Sequence, residues 1–227
     1  MRIKNEKEVK KYLAEYPLQP LFSVPIEEDV ELHVFRRGEF ICEELMPPER
    51  LYFLVRGSAR LYLIHEDGNV SVVQYYEAGD VLGELELLTV RSQSQTIQAA
   101  QDCVCLALPF SRCREKILQD PVFLRNLSRM IAEKMLRSVG KLAGIQNYPL
   151  ENRLATHLLE LDRLSGNDSL MKLKLTELSS YLGASYRHLS RVLKQFADSG
   201  WIEKDRNRIR ITNKKALQEK AARMETE

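Results

Sequence analysis

Two periodicities divide the chain. Between Val30 and Leu108 the apolar positions come in short or alternating runs: ELHVFRRGEFI, LYFLVRGSARLYLI, VSVVQYYEAGDVLG and TIQAAQDCVCLALP. Glycines 38, 57, 68, 79 and 83 punctuate them, and Asp67-Gly68 between two runs is a hairpin signal. Many short strands with regular turns predict a small antiparallel barrel or roll. Ahead of it, MRIKNEKEVKKYLAEY has Val9, Tyr12, Leu13 and Tyr16 on one helical face. From Asp120 onward the spacing lengthens to three and four. Asp120-Pro121 is a helix start, and Phe123, Leu124, Leu127, Ile131, Met135, Val139, Leu142 and Ile145 continue as one stripe until Pro149. Met130 and Leu136 widen that stripe beyond one face. A helix apolar on more than one side needs two partners. The second is expected to be the same helix of another copy, meeting at Leu127, Ile131, Met135, Val139 and Leu142.

The segment LENRLATHLLELDRL, residues 150–164, opens a third region. Within it LTELSSYLGASYRHLSRVLK, residues 175–194, reads as two short helices and a tight turn. Leu175, Leu178, Tyr181 and Leu182 form one apolar face, Gly183 makes the turn, and Ser185 caps the second helix. Leu189, Val192, Leu193 and Phe196 then face inward, leaving Tyr186, Arg187, Ser190, Arg191 and Lys194 outward. Ser199-Gly200 ends the helix. Ile209 and Ile211, alternating with Arg208, Arg210 and Thr212, predict a two-stranded wing. The whole is an α+β chain: an antiparallel roll over 1–118, a long dimerisation helix over 119–147 and a winged helix-turn-helix over 148–227.

Charge supports a nucleic-acid partner. The chain carries a formal net charge of only +2, yet residues 185–215 hold nine Lys/Arg against three acids. Clustering of this kind attracts phosphates and makes binding salt-dependent. Tyr186, Arg187 and Arg191 are the candidates for base contact, since arginine reads guanine O6 and N7 as a bidentate pair. Ser185, His188, Ser190, Lys194, Arg208 and Arg210 complete the expected DNA surface, mostly through phosphates. The other reading, a nucleotide-binding interaction module whose C-terminal hairpin contacts protein, does not account for this cluster.

Other chemistries find little support. A metal-dependent cupin would need a histidine set, and only His33 and His65 fall in the roll. No Ser/His/Asp or paired-carboxylate constellation is legible, so no enzyme is expected, and neither is a metal or cofactor. Cys42, Cys103, Cys105 and Cys113 form no CxxC pair and read as free thiols, with Cys103 and Cys105 on one face of a strand. No run approaches the ~18 apolar residues of a membrane span, and the charged N-terminus is unlike a signal peptide. A cytoplasmic location without a membrane partner is expected.

The pattern LYFLVRGSARLYLIHEDGNVSVVQYYEAGDVLGELELL resembles the cyclic-nucleotide-binding roll of the Crp/Fnr transcription regulators, and the order roll, long helix, winged helix-turn-helix matches over essentially the whole chain. Within the family, SYRHLSRVLK resembles the YeiL-like branch most closely. The resemblance implies a homodimer on a two-fold symmetric operator, with double-stranded DNA, a second copy and RNA polymerase as partners. It also implies an effector pocket at Gly83, Glu84 and Leu85, where the glutamate accepts from a ribose hydroxyl. An Arg-Ser pair should follow about ten residues later to hold a cyclic phosphate. Here VRSQSQTIQA puts Gln93 and Ser94 at those places and Arg91 two residues early. Ser138 and Val139 fall where the family contacts the purine. A glutamate without a fixed cation would repel phosphate, so a cyclic nucleotide is not the expected effector. The family's outward Arg-Glu-x-x-x-Arg pattern becomes Tyr186, Arg187 and Arg191, which implies a different operator half-site. The oxygen-sensing branch carries an N-terminal cysteine cluster, and residues 1–41 contain no cysteine.

Overall fold

A computed structural model describes residues 2–3, 6–44, 46, 49–64, 70–89, 96–164, 171–206 and 208–221. In chain order the elements are β1 (Arg2–Ile3), α1 (Glu6–Glu15), β2 (Glu31–Phe35), β3 (Phe40–Cys42), β4 (Arg50–Arg56), β5 (Ser58–Ile64), β6 (Val70–Glu77), β7 (Val81–Leu82), α2 (Glu84–Thr89), β8 (Thr96–Ala99) and β9 (Cys103–Pro109). They continue as α3 (Phe110–Leu118), α4 (Pro121–Asn147), α5 (Leu150–Leu164), β10 (Met171–Lys172), α6 (Leu175–Tyr181), α7 (Tyr186–Asp198), β11 (Ile202–Asp205), β12 (Arg208–Ile211) and α8 (Lys214–Ala221). The chain divides into two compact units, residues 1–63 with 73–136 and residues 64–72 with 137–227. The division falls inside α4, whereas the sequence suggests a separate helical segment over 119–147. The expected Asp67-Gly68 hairpin lies outside the described residues.

The first unit is the roll. One sheet has the order β1-β2-β9-β4-β7 and the other β3-β8-β5-β6. Strand β9 lies between β2 and β4, pairing Leu32 with Leu106 on one side and Phe53 with Leu106 on the other. It is buried along its whole length. Its alternation sends Cys103, Cys105 and Ala107 into the roll with Cys42, Tyr52, Leu61, Tyr76 and Ile97. Val104, Leu106 and Leu108 point the other way, to Phe22, Phe110, Ile117, Phe123 and Leu127. Val9, Tyr12, Leu13 and Tyr16 of α1 pack on this helix-side core, as their spacing suggests.

Asp120 fastens the start of α4 within this unit. It is buried, and its Oδ1 accepts from the Val122 and Phe123 amides at 2.9 and 3.2 Å, the usual geometry of a helix N-cap. It also accepts from the Ser23 hydroxyl and amide, both at 2.7 Å, and from the Val24 amide at 3.3 Å. Burial pushes the carboxyl up, but the Ser23, Phe123 and Val122 donors outweigh it and hold the pKa below its ordinary 3.8.

In the second unit, Leu154, Leu158, Leu178, Leu182, Leu189, Val192, Leu193, Phe196 and Leu217 make one core. The wing is three-stranded, in the order β10-β12-β11, with Met171 opposite Ile209 and Ile202 opposite Ile211. The sequence shows only two of these strands, because a two-residue strand has no periodicity of its own. The Gly183 turn has φ +61°, and a Cβ there would lie 3.0 Å from Ile145 Cγ2 of α4.

Candidate nucleic-acid interface and effector cassette

The helix-turn-helix is α6, the turn at 182–185, and α7. Ser185 accepts the His188 amide at 3.2 Å and so caps α7 as its position suggests. The four apolar residues Leu189, Val192, Leu193 and Phe196 are buried, which fixes the rotation of the helix. That rotation leaves Ser185, Tyr186, Arg187, Arg191 and Lys194 exposed, with His188 and Ser190 half-buried. Tyr186 is 52% exposed, a large ring facing water at the first turn. On the wing, Arg208 and Arg210 are exposed, and Arg210 lies 3.8 Å from Glu203 in a solvated pair that contributes little to stability. All the sequence-predicted DNA residues therefore sit on α7, its N-cap Ser185 or β12 of one unit. Behind them, Arg153 of α5 donates to the Leu182 carbonyl and, at 3.1 Å, to the Tyr148 carbonyl, so the turn is tied to the end of α4. Lys141 of α4 sits 3.6 Å from the centroid of the Tyr181 ring. Burial pushes its ammonium down to about 8.

The effector cassette is built differently from what the sequence suggests. Gly83 takes φ +87°, and a Cβ there would lie 2.7 Å from the Arg50 carbonyl, so only glycine fits. Glu84 opens α2 and is buried, while Leu85 is partly exposed. The helix is held from its far end by Arg114 of α3, which donates to the Glu86 and Leu87 carbonyls at 3.3 and 2.6 Å. Glu84 does have a fixed cation. Lys134 of α4, itself buried, lies with Nζ 2.8 Å from Glu84 Oε1 and also donates to the Val81 carbonyl. The same ammonium stands 4.7 Å from the Tyr76 ring centroid. Burial, and then Glu84, raise the Tyr76 phenol. The expectation that Glu84 lacks a fixed cation fails because that cation lies fifty residues away in sequence. The one available signal was position: Lys134 follows Leu127 by seven residues and so shares its face. Arg91 and Ser94 lie outside the described residues, and Ser138 is a half-buried residue of the second unit.

The long helix uses its stripe twice. Leu127 is 1% exposed in the roll's own core and Ile131 packs against it, so neither is presented outward as the dimer reading expects. Met135, Leu136, Val139 and Leu142 are 66%, 71%, 51% and 61% exposed.

All four cysteines are free and buried. Cys103 donates to the Ser58 carbonyl at 3.1 Å, and Cys113 to the Pro109 carbonyl at 2.8 Å. Burial pushes both up to about 11 and Cys105 well above its ordinary value. His33 is paired with Glu31 at 3.1 Å, and burial lowers its pKa. His65 lies outside the described residues. Among the described residues no group of three His, Cys, Asp or Glu could hold a metal ion, and no helix is long and apolar enough to cross a membrane.

Comparison with known proteins agrees with this arrangement. Residues 32–120 match the cyclic nucleotide-binding domain family, and residues 152–220 match the Crp-like helix-turn-helix domain. The chain is 35% identical to the regulatory protein YeiL of Escherichia coli O157:H7 over 95% of its own length and 96% of that protein's. The chain belongs to the Crp/Fnr family of transcription regulators. It is a DNA-binding transcription regulator with an α+β fold of roll, long helix and winged helix-turn-helix. A second relative is the cAMP-activated global transcriptional regulator Vfr of Pseudomonas aeruginosa, 26% identical over 68% of this chain and 76% of Vfr. Among solved structures, a putative Crp/Fnr transcriptional regulator from Eubacterium rectale has a TM-score of 0.75 at 19% identity, covering 86% of this chain and 91% of its own.

Proposed function

We propose that this Crp/Fnr regulator acts as a homodimer on a pseudo-palindromic operator, reading bases with Tyr186, Arg187 and Arg191 and phosphates with Ser185, His188, Ser190, Lys194, Arg208 and Arg210. The observation that carries the dimer is the exposed row Met135, Leu136, Val139 and Leu142 on one helix, an apolar surface that a second copy of α4 would cover. Two copies related by a two-fold axis present two recognition helices about one turn of DNA apart. RNA polymerase is the further partner, the compartment is the cytoplasm, and the protein is not an enzyme. Some relatives are described as cAMP-activated. For this chain we favour an effector other than a classical cyclic nucleotide, because Glu84 is engaged by Lys134 and Gln93 stands where the phosphate-binding arginine is expected.

Native mass spectrometry and footprinting test this together. The expected result is a two-chain mass and a symmetric footprint, with affinity falling as salt rises. Arg187→Ala should lower discrimination at one half-site position by about 5- to 150-fold, the equivalent of ~1–3 kcal/mol. A monomer protecting one asymmetric half-site would overturn the dimer. An Arg187→Ala loss that is uniform across sequences would reassign that residue to phosphate.

A further inference from the structure

The ammoniums of Lys116, Lys134, Lys174 and Lys214 each lie within 3.1 Å of a carboxylate. That of Lys141, in the second unit's part of α4, rests over an aromatic ring, 3.6 Å from the Tyr181 centroid. A carboxylate holds an ammonium charged, whereas a ring face attracts it weakly and burial works against the charge. Lys141 is half-buried, and burial brings its ammonium down to about 8. Tyr181 of α6 faces it. His157 of α5 packs on the same ring with centroids 4.6 Å apart, and its Nδ1 lies 3.6 Å from Glu160. Ile145, one turn further along the same face of α4, meets the Gly183 turn. The amine therefore stands where α4 meets the helix-turn-helix, close enough to solvent for a small reagent to reach it.

We propose that Lys141 is a covalent acylation site, its neutral amine taking the acyl group of a small acyl phosphate. The effect on operator binding rests on the regulator reading above. The Nζ lone pair attacks the acyl carbon and a C–N bond forms. The acyl C–O bond to phosphate breaks with its electron pair going to phosphate, and the amine's proton passes to water. The products are an amide and inorganic phosphate, with no change of oxidation state. At pH 7.5 about a quarter of an amine titrating at 8 is neutral, against about one in a thousand at the ordinary 10.5. A small donor is favoured because a half-buried amine leaves little room for a bulky one. The amide has no charge for the Tyr181 ring to attract, and its added atoms need space that the ring fills. Tyr181 is the last residue of α6, two before Gly183, so acylation acts directly on the turn that leads into α7.

The test incubates the full chain with acetyl phosphate and reads each lysine's acetylation rate by peptide mass spectrometry. Lys141 should react about tenfold faster than the exposed Lys174, Lys204 and Lys215, the part of its gain in neutral amine that survives weaker basicity and partial burial. Its rate should level off above about pH 9 while theirs still climbs, and the difference should vanish in guanidinium chloride. Operator binding reads the consequence. Lys141→Arg keeps a cation on the ring and, treated alike, carries the same acetylation elsewhere. Treated wild type should lose about 2- to 30-fold more affinity than treated Lys141→Arg, the range of one cation–π contact. Untreated Lys141→Gln should show the same loss. Acetylation of Lys141 no faster than of the exposed lysines overturns the proposal. So does an equal loss in treated wild type and treated Lys141→Arg. If Lys141→Arg does not fold, Lys141→Gln decides. A wild-type protein that binds no DNA refutes the regulator reading, and the labelling rates then decide alone whether Lys141 is an acyl acceptor.

Discussion

Replacing Asp120 by Asn separates two roles of one carboxylate. For an ordinary helix N-cap, Asn serves about as well as Asp, so the exchange would be nearly silent. Asp120 is different because both of its oxygens accept. Oδ1 takes the Val122 and Phe123 amides and the Ser23 hydroxyl, while Oδ2 takes the Ser23 and Val24 amides. An asparagine that keeps the cap through its oxygen points an NH2 at the Ser23 and Val24 amides. That leaves donors facing donors, each stranded donor costing about 1–3 kcal/mol. The helix itself keeps its cap, so the loss comes from the Ser23 side, and with partial relaxation we expect about 3 kcal/mol. Urea titration of the first unit, followed by exchange at β9 amides, measures this. The sign with pH follows from the depressed pKa. The carboxylate's contribution is complete above the unfolded value near 3.8 and is lost as pH falls through the lower folded value, so the gap between wild type and Asp120→Asn should narrow below about pH 4. A silent Asp120→Asn, or a gap that does not change with pH, would refute the two-sided network.

Gly183→Ala forces a left-handed residue, costing roughly 1–2 kcal/mol, and presses a Cβ against Ile145. Gly183→Asn should cost less, since asparagine tolerates this region better, and equal losses in calorimetry would mean that the backbone conformation is not the limiting factor. For the thiols, Cys103, Cys105 and Cys113 should resist alkylation at neutral pH in the folded protein and react only on unfolding. Rapid labelling of native protein, read by mass spectrometry, would show that the roll opens.

The recognition helix was legible because every level agrees there: a serine cap, apolar residues at three and four, and a cationic remainder. The start of α4 was legible from Asp120-Pro121 for the same reason. The partition of α4 was not, because a run at i, i+4 overshoots a full turn by about 40° at each step. Leu127, Ile131, Met135 and Val139 look like one stripe in sequence but wind from the roll's core to the open side. The short elements β1, β10 and α2 owe their existence to pairing and packing, which local spacing does not encode. The Ser23–Asp120 and Glu84–Lys134 contacts join residues far apart in the chain. Single-sequence reading found one member of each pair, and for the other it had at most a helix face, the one Lys134 shares with Leu127.

The position of β9 between β2 and β4 also sets a schedule for synthesis. Its two neighbours end at Phe35 and Arg56, but the strand that joins them begins only at Cys103. At about 5–20 residues per second, a ribosome takes roughly 2–9 s to make the stretch between Arg56 and Cys103. For that interval the edges of β2 and β4 that β9 will join stay open, with only β1 beside β2 and, once it is made, β7 beside β4. Until β9 arrives, the nascent roll is a set of adhesive strands, and the growing chain depends on chaperones or on fast completion to avoid pairing with its neighbours.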